Sequence, residues 1–161
     1  MHHLCKRYGT QTALDDVSFT IEKGHVYGLL GPNGAGKSTT MNILTGCLAA
    51  ISGEVKSGGN DIFEDSRKAK KLIGYLPENP PLYQDMTVRE YLLFVAEARE
   101  VPKAERGKQT DRAMAQTGTA DVAERLIRHL SKGYRQRVGI AQALLGNPYR
   151  QLPAETAGTR W

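Results

Sequence analysis

Gly31-Pro32-Asn33-Gly34-Ala35-Gly36-Lys37-Ser38-Thr39 fits the spacing G-x-x-x-x-G-K-[ST], with one apolar stretch at 26–30 before it and another at 41–48 after it. The first stretch predicts a buried strand and the second a helix. The loop is then a strand-to-helix turn, the context in which this spacing holds the phosphates of a nucleoside triphosphate. A Gly-rich turn that happens to precede Lys-Ser is the competing reading, and the flanking strand and helix argue against it.

A polyphosphate needs several backbone N–H donors converging on one spot, a helix N-terminus, a mobile cation and a magnesium ligand. Gly34 and Gly36 lack a Cβ, so the loop reaches positive φ and brings its amides to the β-phosphate. Lys37 bridges the β- and γ-phosphates in this reading, and Ser38 offers its hydroxyl to Mg²⁺. Thr39 and the amides after it fall in the first helical turn, where the macrodipole favours negative charge.

The chain has 161 residues, of which 40% are hydrophobic, enough for one domain with a core and with no sign of a second. No apolar stretch approaches the roughly 20 residues that cross a bilayer, and the N-terminus lacks the apolar segment of a signal peptide. A cytosolic chain is expected, unless a partner carries it to a membrane. Cys5 and Cys47 have no metal-ligand spacing and read as two ordinary thiols in a reducing compartment rather than a disulfide. The net charge is +5, yet Lys and Arg are interspersed with Asp and Glu, which favours a solvated surface over a nucleic-acid footprint. His2, His3, His25 and His129 show no metal-ligand spacing.

Residues 13–21 alternate, with Leu14, Val17, Phe19 and Ile21 against polar neighbours, and predict a half-buried strand after a turn at Gly9-Thr10. Glu54-Val55-Lys56 with Gly58-Gly59-Asn60 predicts a short hairpin. Ile73-Gly74-Tyr75-Leu76 predicts a strand stopped by Pro77. Thr87-Val88-Arg89-Glu90 has the spacing of a capping box, and Tyr91, Leu92, Phe94, Val95 and Ala98 continue one helical face. A second helix opens at Pro102 and covers 104–117, a third is expected over 121–127, and a fourth over 133–145 ends at Gly146 with Pro148 beyond. The middle of the chain, 79–130, thus reads as a helical insert.

Leu130-Ser131-Lys132-Gly133-Tyr134-Arg135-Gln136-Arg137-Val138 resembles the signature motif of ATP-binding cassette (ABC) proteins, whose usual form is L-S-G-G-Q. Lys132 stands where the first motif glycine is usual and Tyr134 where Gln is usual, a form similar to the branch of multidrug and gliding-type exporters. The resemblance covers about residues 4–148. Ser131 as a helix N-cap followed by Gly133 presents amides and a positive helix end to an anion, although an ordinary cap has the same look. In the family, that anion is the γ-phosphate held by the other subunit of a head-to-tail dimer.

The resemblance implies two further sites. Tyr8 stands where the family places an aromatic ring that stacks on adenine, for which a flat π-face suffices. Half-buried packing is its other reading. Glu78 falls in the segment where the family usually has a glutamine that contacts Mg²⁺ and relays to the membrane partner, and a carboxylate ligates Mg²⁺ as readily as an amide oxygen. The loop Asn79-Pro80-Pro81-Leu82-Tyr83 is apolar enough to meet a helix of that partner.

Past Asn147-Pro148 the family continues with four apolar strand residues, Asp, the catalytic Glu, then Pro-Thr and Gly-Leu-Asp. Leu152, Thr156, Ala157 and Gly158 match in place, but Pro153 and Ala154 stand where the two carboxylates belong. Tyr149-Arg150-Gln151 replaces the apolar run of a strand buried on both faces, and Pro153 removes a ladder donor, so no central strand is expected there. Thr159-Arg160 is what Leu-Asp codons yield when the frame moves by one base, which reads as a damaged frame. Glu155 stands one residue, roughly 3.3 Å along the chain, past the place of the base and is not expected to replace it.

The resemblance therefore implies an α/β fold: a P-loop NTPase core with an N-terminal antiparallel β part and an inserted helical subdomain, an incomplete ABC nucleotide-binding domain over 1–161. It implies an ATP-binding subunit using ATP and Mg²⁺. Gly31, Pro32, Asn33, Gly34, Ala35, Gly36, Lys37, Ser38, Thr39 and Tyr8 bind, Ser131 and Gly133 act in trans, and Lys37 and Glu78 stand closest to the chemistry. Its partners are a transmembrane permease subunit and a second ATPase subunit, as homodimer or heterodimer, at the inner face of the cell membrane, with no nucleic acid. Losing the water-orienting carboxylate commonly costs a factor of about 10² to 10⁴. A non-hydrolysing module paired with an intact cassette is the alternative, and a soluble P-loop kinase or DNA-repair ATPase fits the helical insert less well.

Overall fold

The computed structural model describes residues 1–146, Pro148 and the backbone of Arg150–Pro153. Two compact units emerge, Met1–Ile73 and Gly74–Pro153.

In the first unit, β1 (His2–Tyr8) and β2 (Gln11–Val17) form an antiparallel hairpin whose turn is Gly9-Thr10, so that Tyr8 lies opposite Gln11. The register then skips Ala13, because Arg7 pairs with Thr12 and Lys6 with Leu14. A bulge of this kind re-aims the backbone of the extra residue. β3 (Ser52–Glu54) pairs with the other edge of β1, giving the order β2-β1-β3. The N-terminal antiparallel part is thus present, with its second strand running over 11–17 rather than 13–21.

Helix α1 (Lys37–Leu44) follows the glycine loop as expected. The predicted hairpin is present as β4 (Lys56–Ser57) and β5 (Asn60–Asp61) around Gly58-Gly59. Sequence reasoning missed α2 (Ser66–Lys71), a six-residue helix that buries only Ala69 and offers no apolar stripe to read. Leu4, Leu14, Ile43, Val55 and Ile62 are buried. Each such side chain removed from water contributes about 1.5–3 kcal/mol.

The stretch 26–30 corrects an expectation. It forms no strand, and Val26 and Leu30 are almost fully solvent-exposed, at 101% and 92%. The physical reason is that an apolar strand is stabilised by partners on both edges and layers on both faces. Among the described residues no strand pairs with it.

The second unit is mainly helical. α3 (Val88–Ala98), α4 (Lys103–Thr117) and α5 (Lys132–Leu144) pack on one another around Leu92, Met114, Ile127 and Val138, all buried. The capping box is formed: Thr87 Oγ1 accepts from the Glu90 amide at 3.2 Å, and Glu90 Oε2 accepts from the Thr87 amide at 2.8 Å. Arg89 then ties α3 to its neighbours through Asp111 at 2.6 Å and Glu124 at 2.9 Å.

The helix expected over 121–127 is instead two short 3₁₀ turns, Ala120–Val122 and Ile127–His129. The backbone between them is used elsewhere. The carbonyls of Ala123 and Arg125 accept from the amides of Arg89 and Val88, and the Ile127 amide donates to Met86. The segment's backbone bonds thus run to the entrance of α3 rather than along a helix of its own.

β6 (Ile73–Leu76) forms as expected, and it pairs with β7 (Arg150–Pro153). That strand was not expected from Tyr149-Arg150-Gln151 and Pro153. Backbone pairing with β6 carries it despite a composition unlike a buried strand. The readings placed on 154–161, Ala154 and Glu155 among them, lie outside the described residues, as do those on Asn147 and Tyr149.

Candidate functional site

The first unit holds a cleft of about 280 Å³ lined by Tyr8, Gln11, Ala13, Asn33, Gly34, Gly36, Lys37, Ser38 and Thr39. Two distant pieces of chain meet there: the hairpin turn between β1 and β2, and the loop that opens α1.

The loop owes its shape to two left-handed glycines. Gly34 has φ 83° and Gly36 has φ 81°, values that cost a residue with a Cβ about 1–2 kcal/mol. Gly36 is also the N-cap of α1 and has no room for a side chain, since a Cβ there would lie 2.4 Å from the Ala13 carbonyl oxygen and 2.7 Å from Leu14 Cδ2. The bulged Ala13 of β2 is thus what the loop leans on.

Behind the cleft, the Ala35 amide closes a turn onto the Pro32 carbonyl at 3.2 Å. Lys37 Nζ donates to the carbonyls of Gly31 and Pro32, both at 2.8 Å, which folds its side chain back over its own loop. Thr40 returns both its amide and its hydroxyl to the Gly36 carbonyl, fixing the first turn of α1. The first turn carries no acidic residue, so nothing in it opposes an anion at the positive end of the helix dipole.

Tyr8 is half exposed. The Lys6 ammonium lies 5.5 Å from its ring centroid while donating to the Ala49 carbonyl at 2.7 Å. A cation over one face holds the ring by cation–π attraction. Sequence reasoning named Tyr8 and the glycine loop but missed Gln11 and Ala13, whose only signal was their place just across the turn from Tyr8.

Glu78, Ser131 and Gly133 belong to the second unit. Ser131 is the N-cap of α5, its hydroxyl accepting from the Tyr134 amide at 3.3 Å. Gly133 faces open space, with only Ser131 Oγ within 4 Å of a Cβ placed there. The Tyr134 hydroxyl donates to Asp121 at 2.8 Å, and the Arg137 guanidinium lies 5.4 Å from its ring centroid. The Asp121 carboxylate, by accepting that bond, keeps the Tyr134 phenol above its ordinary pKa. Glu78 is exposed, and its carbonyl accepts from Gln136 Nε2 at 2.9 Å. Tyr91, whose hydroxyl bonds Gln142, is pushed up to about 12 by burial and by Tyr83.

Among the described residues no helix is long and apolar enough to cross a membrane, and no group of three or more His, Cys, Asp or Glu is placed to hold a metal. Cys5 and Cys47 are free thiols.

The chain is similar to the linearmycin resistance ATP-binding protein LnrL of Bacillus subtilis (strain 168), at 36% identity over 143 residues, covering 89% of this chain and 46% of that one. It is 39% identical over 144 residues to the methionine import ATP-binding protein MetN of Geobacillus kaustophilus (strain HTA426), covering 87% and 42%. The chain spans about half the length of the curated relatives it matches. A solved structure described as an ATP binding subunit of an ABC transporter superposes with a TM-score of 0.85 at 29% identity, covering 94% of this chain and 63% of that one. The α/β fold with its N-terminal antiparallel sheet is that of the ABC nucleotide-binding domain. With residues 14–152 matching the family model described as ABC transporter, the chain belongs to the ABC transporter family.

Proposed function

We propose that this chain is the ATP-binding part of an ABC transporter, holding ATP with Mg²⁺ in the cleft of its first unit. The observation that carries the reading is the convergence of Tyr8 with Asn33, Gly34, Gly36, Lys37, Ser38 and Thr39 on one cleft at the start of α1. The donor set suits a nucleoside triphosphate: a flat ring at one end, backbone amides and an ammonium at the other, and a loop kept thin enough by Gly36 to lie against β2. Gly31, Pro32 and Ala35 shape the loop, and Lys37 exchanges its own carbonyl partners for phosphate oxygens. Ser38 would hold the magnesium, which neutralises charge on the β- and γ-phosphates when bound. Glu78 is a further magnesium contact in this reading.

Ser131 and Gly133, at the exposed start of α5, serve a nucleotide held by a second ATPase subunit, in a homodimer or heterodimer. The chain works at the inner face of the cell membrane against a permease subunit. Support for that partner surface comes from Tyr83 and Phe94, both about half exposed with ring centroids 5.3 Å apart, beside the apolar loop 79–83. The export branch is favoured by the form of the signature motif, with Lys132 and Tyr134, and by the resistance function named for one relative. Pro153 and Ala154 stand where the family has its carboxylates, so the assignment is to nucleotide binding rather than turnover by this chain alone.

Titration calorimetry with Mg-ATP tests the reading. Wild type binds, and Lys37→Ala abolishes binding, because a charge-assisted contact to phosphate is worth roughly 1.5–3 kcal/mol and more when its loss leaves charge unmatched. Unchanged affinity in Lys37→Ala refutes the phosphate site. Tyr8→Ala weakens ATP and leaves inorganic triphosphate unaffected; equal losses for both ligands remove the stacking role.

A further inference from the structure

The geometry points to Gln11 as the residue that recognises the sugar hydroxyls of the bound nucleotide. This rests on the nucleotide site proposed above and adds to it a specificity residue that neither the motif nor the resemblance supplies.

The cleft has two ends joined by a short piece of β2. At one end, Gln11 sits directly opposite Tyr8 across the two-residue turn. Two residues further along, the bulged Ala13 puts its carbonyl against Gly36 and so touches the phosphate loop. Two strand residues span roughly 6–7 Å. A base stacked on Tyr8 and a triphosphate cradled by 34–39 are therefore connected along the stretch from Gln11 to Ala13, and in a nucleotide the connecting piece is the ribose. Both residues line the cleft.

Chemistry then separates the two. Ala13 offers no polar side-chain atom, whereas the Gln11 carboxamide carries two donors and one acceptor. Sugar hydroxyls are each donor and acceptor, so a neutral carboxamide complements a vicinal pair. Gln11 is exposed rather than consumed in the core, and it lines the cleft. Asn33, the other carboxamide at the cleft, belongs to the phosphate loop.

The test is a set of calorimetric titrations with three probes: ATP, 2′,3′-dideoxy-ATP and inorganic triphosphate, each with Mg²⁺, against wild type, Gln11→Ala and Lys37→Ala. Wild type is expected to bind ATP about tenfold more tightly than the dideoxy nucleotide, the size of a net hydrogen bond or two. Gln11→Ala brings ATP to within about twofold of the dideoxy nucleotide, while the dideoxy nucleotide and triphosphate keep their wild-type affinities. A preserved preference in Gln11→Ala, or an equal loss for ATP and its dideoxy analogue, overturns the assignment. Lys37→Ala separates the two levels. If it leaves ATP binding intact, the site itself is wrong; if it abolishes binding while Gln11→Ala leaves the preference untouched, the sugar role alone falls.

Discussion

Gly34 and Gly36 have nearly the same positive φ, 83° and 81°, but very different surroundings, and replacing each by alanine separates backbone strain from steric contact. At Gly34 a Cβ meets nothing within 4 Å. Gly34→Ala therefore pays only for the left-handed backbone, about 1–2 kcal/mol. At Gly36 the same strain applies, and the new Cβ also lies 2.4 Å from the Ala13 carbonyl oxygen and 2.7 Å from Leu14 Cδ2. Real Cβ atoms do not approach within 3.0 Å, so loop or strand must move. Neither gives easily, because the oxygen is backbone and Leu14 is buried at 5% exposure. Overpacking of this kind adds about 1–3 kcal/mol, for a total of about 2–5. In a chain of this size each kcal/mol lowers the melting temperature by about 2–4 °C. Thermal unfolding of the nucleotide-free protein, followed by circular dichroism and by amide exchange at Leu14, is expected to show a shift of about 2–8 °C for Gly34→Ala and about 4–20 °C for Gly36→Ala. Equal shifts for the two variants would refute the claim that the loop leans on β2 at Ala13.

Thr87→Ala removes the hydroxyl that caps α3 and is expected to cost about 1 kcal/mol in urea unfolding; an unchanged midpoint would mean that the capping box is ornamental. Asp61 accepts from the amides of Glu64 and Phe63, and these bonds hold its pKa below the ordinary carboxylate value. Because the folded value is the lower one, the stabilisation is complete above about pH 4–5 and is lost as pH falls through the folded pKa. The stability difference between wild type and Asp61→Asn should accordingly be flat at neutral pH and shrink on acidification, and a pH-independent difference would contradict it.

Several elements were legible because their causes are local. The G-x-x-x-x-G-K-S spacing marked the start of α1, the Thr87 to Glu90 spacing marked the start of α3, and Ser131 marked the start of α5, each within one residue or so. In each case the same few residues that form the element also supply its cap or turn. The segment 121–127 has helix-like composition too, but the carbonyls of Ala123 and Arg125 are taken by α3, a partner more than thirty residues away in the chain. Arg150–Pro153 is the opposite case, a strand made by pairing with β6 in spite of its side chains. The short α2 escaped notice because it buries one alanine.

What the sequence by itself determined is the glycine loop that opens α1, the helix starts and the family, since these depend on residue types at fixed short spacings. Only the tertiary structure decided that Gln11 and Ala13 share a cleft with Lys37, because that depends on a one-residue bulge which turns Ala13 onto Gly36. It also decided that 26–30, the most strand-like apolar run, lies exposed. Apolar side chains set a preference for burial, but a strand exists only where another backbone is in place to accept its hydrogen bonds, and that is a property of the whole fold.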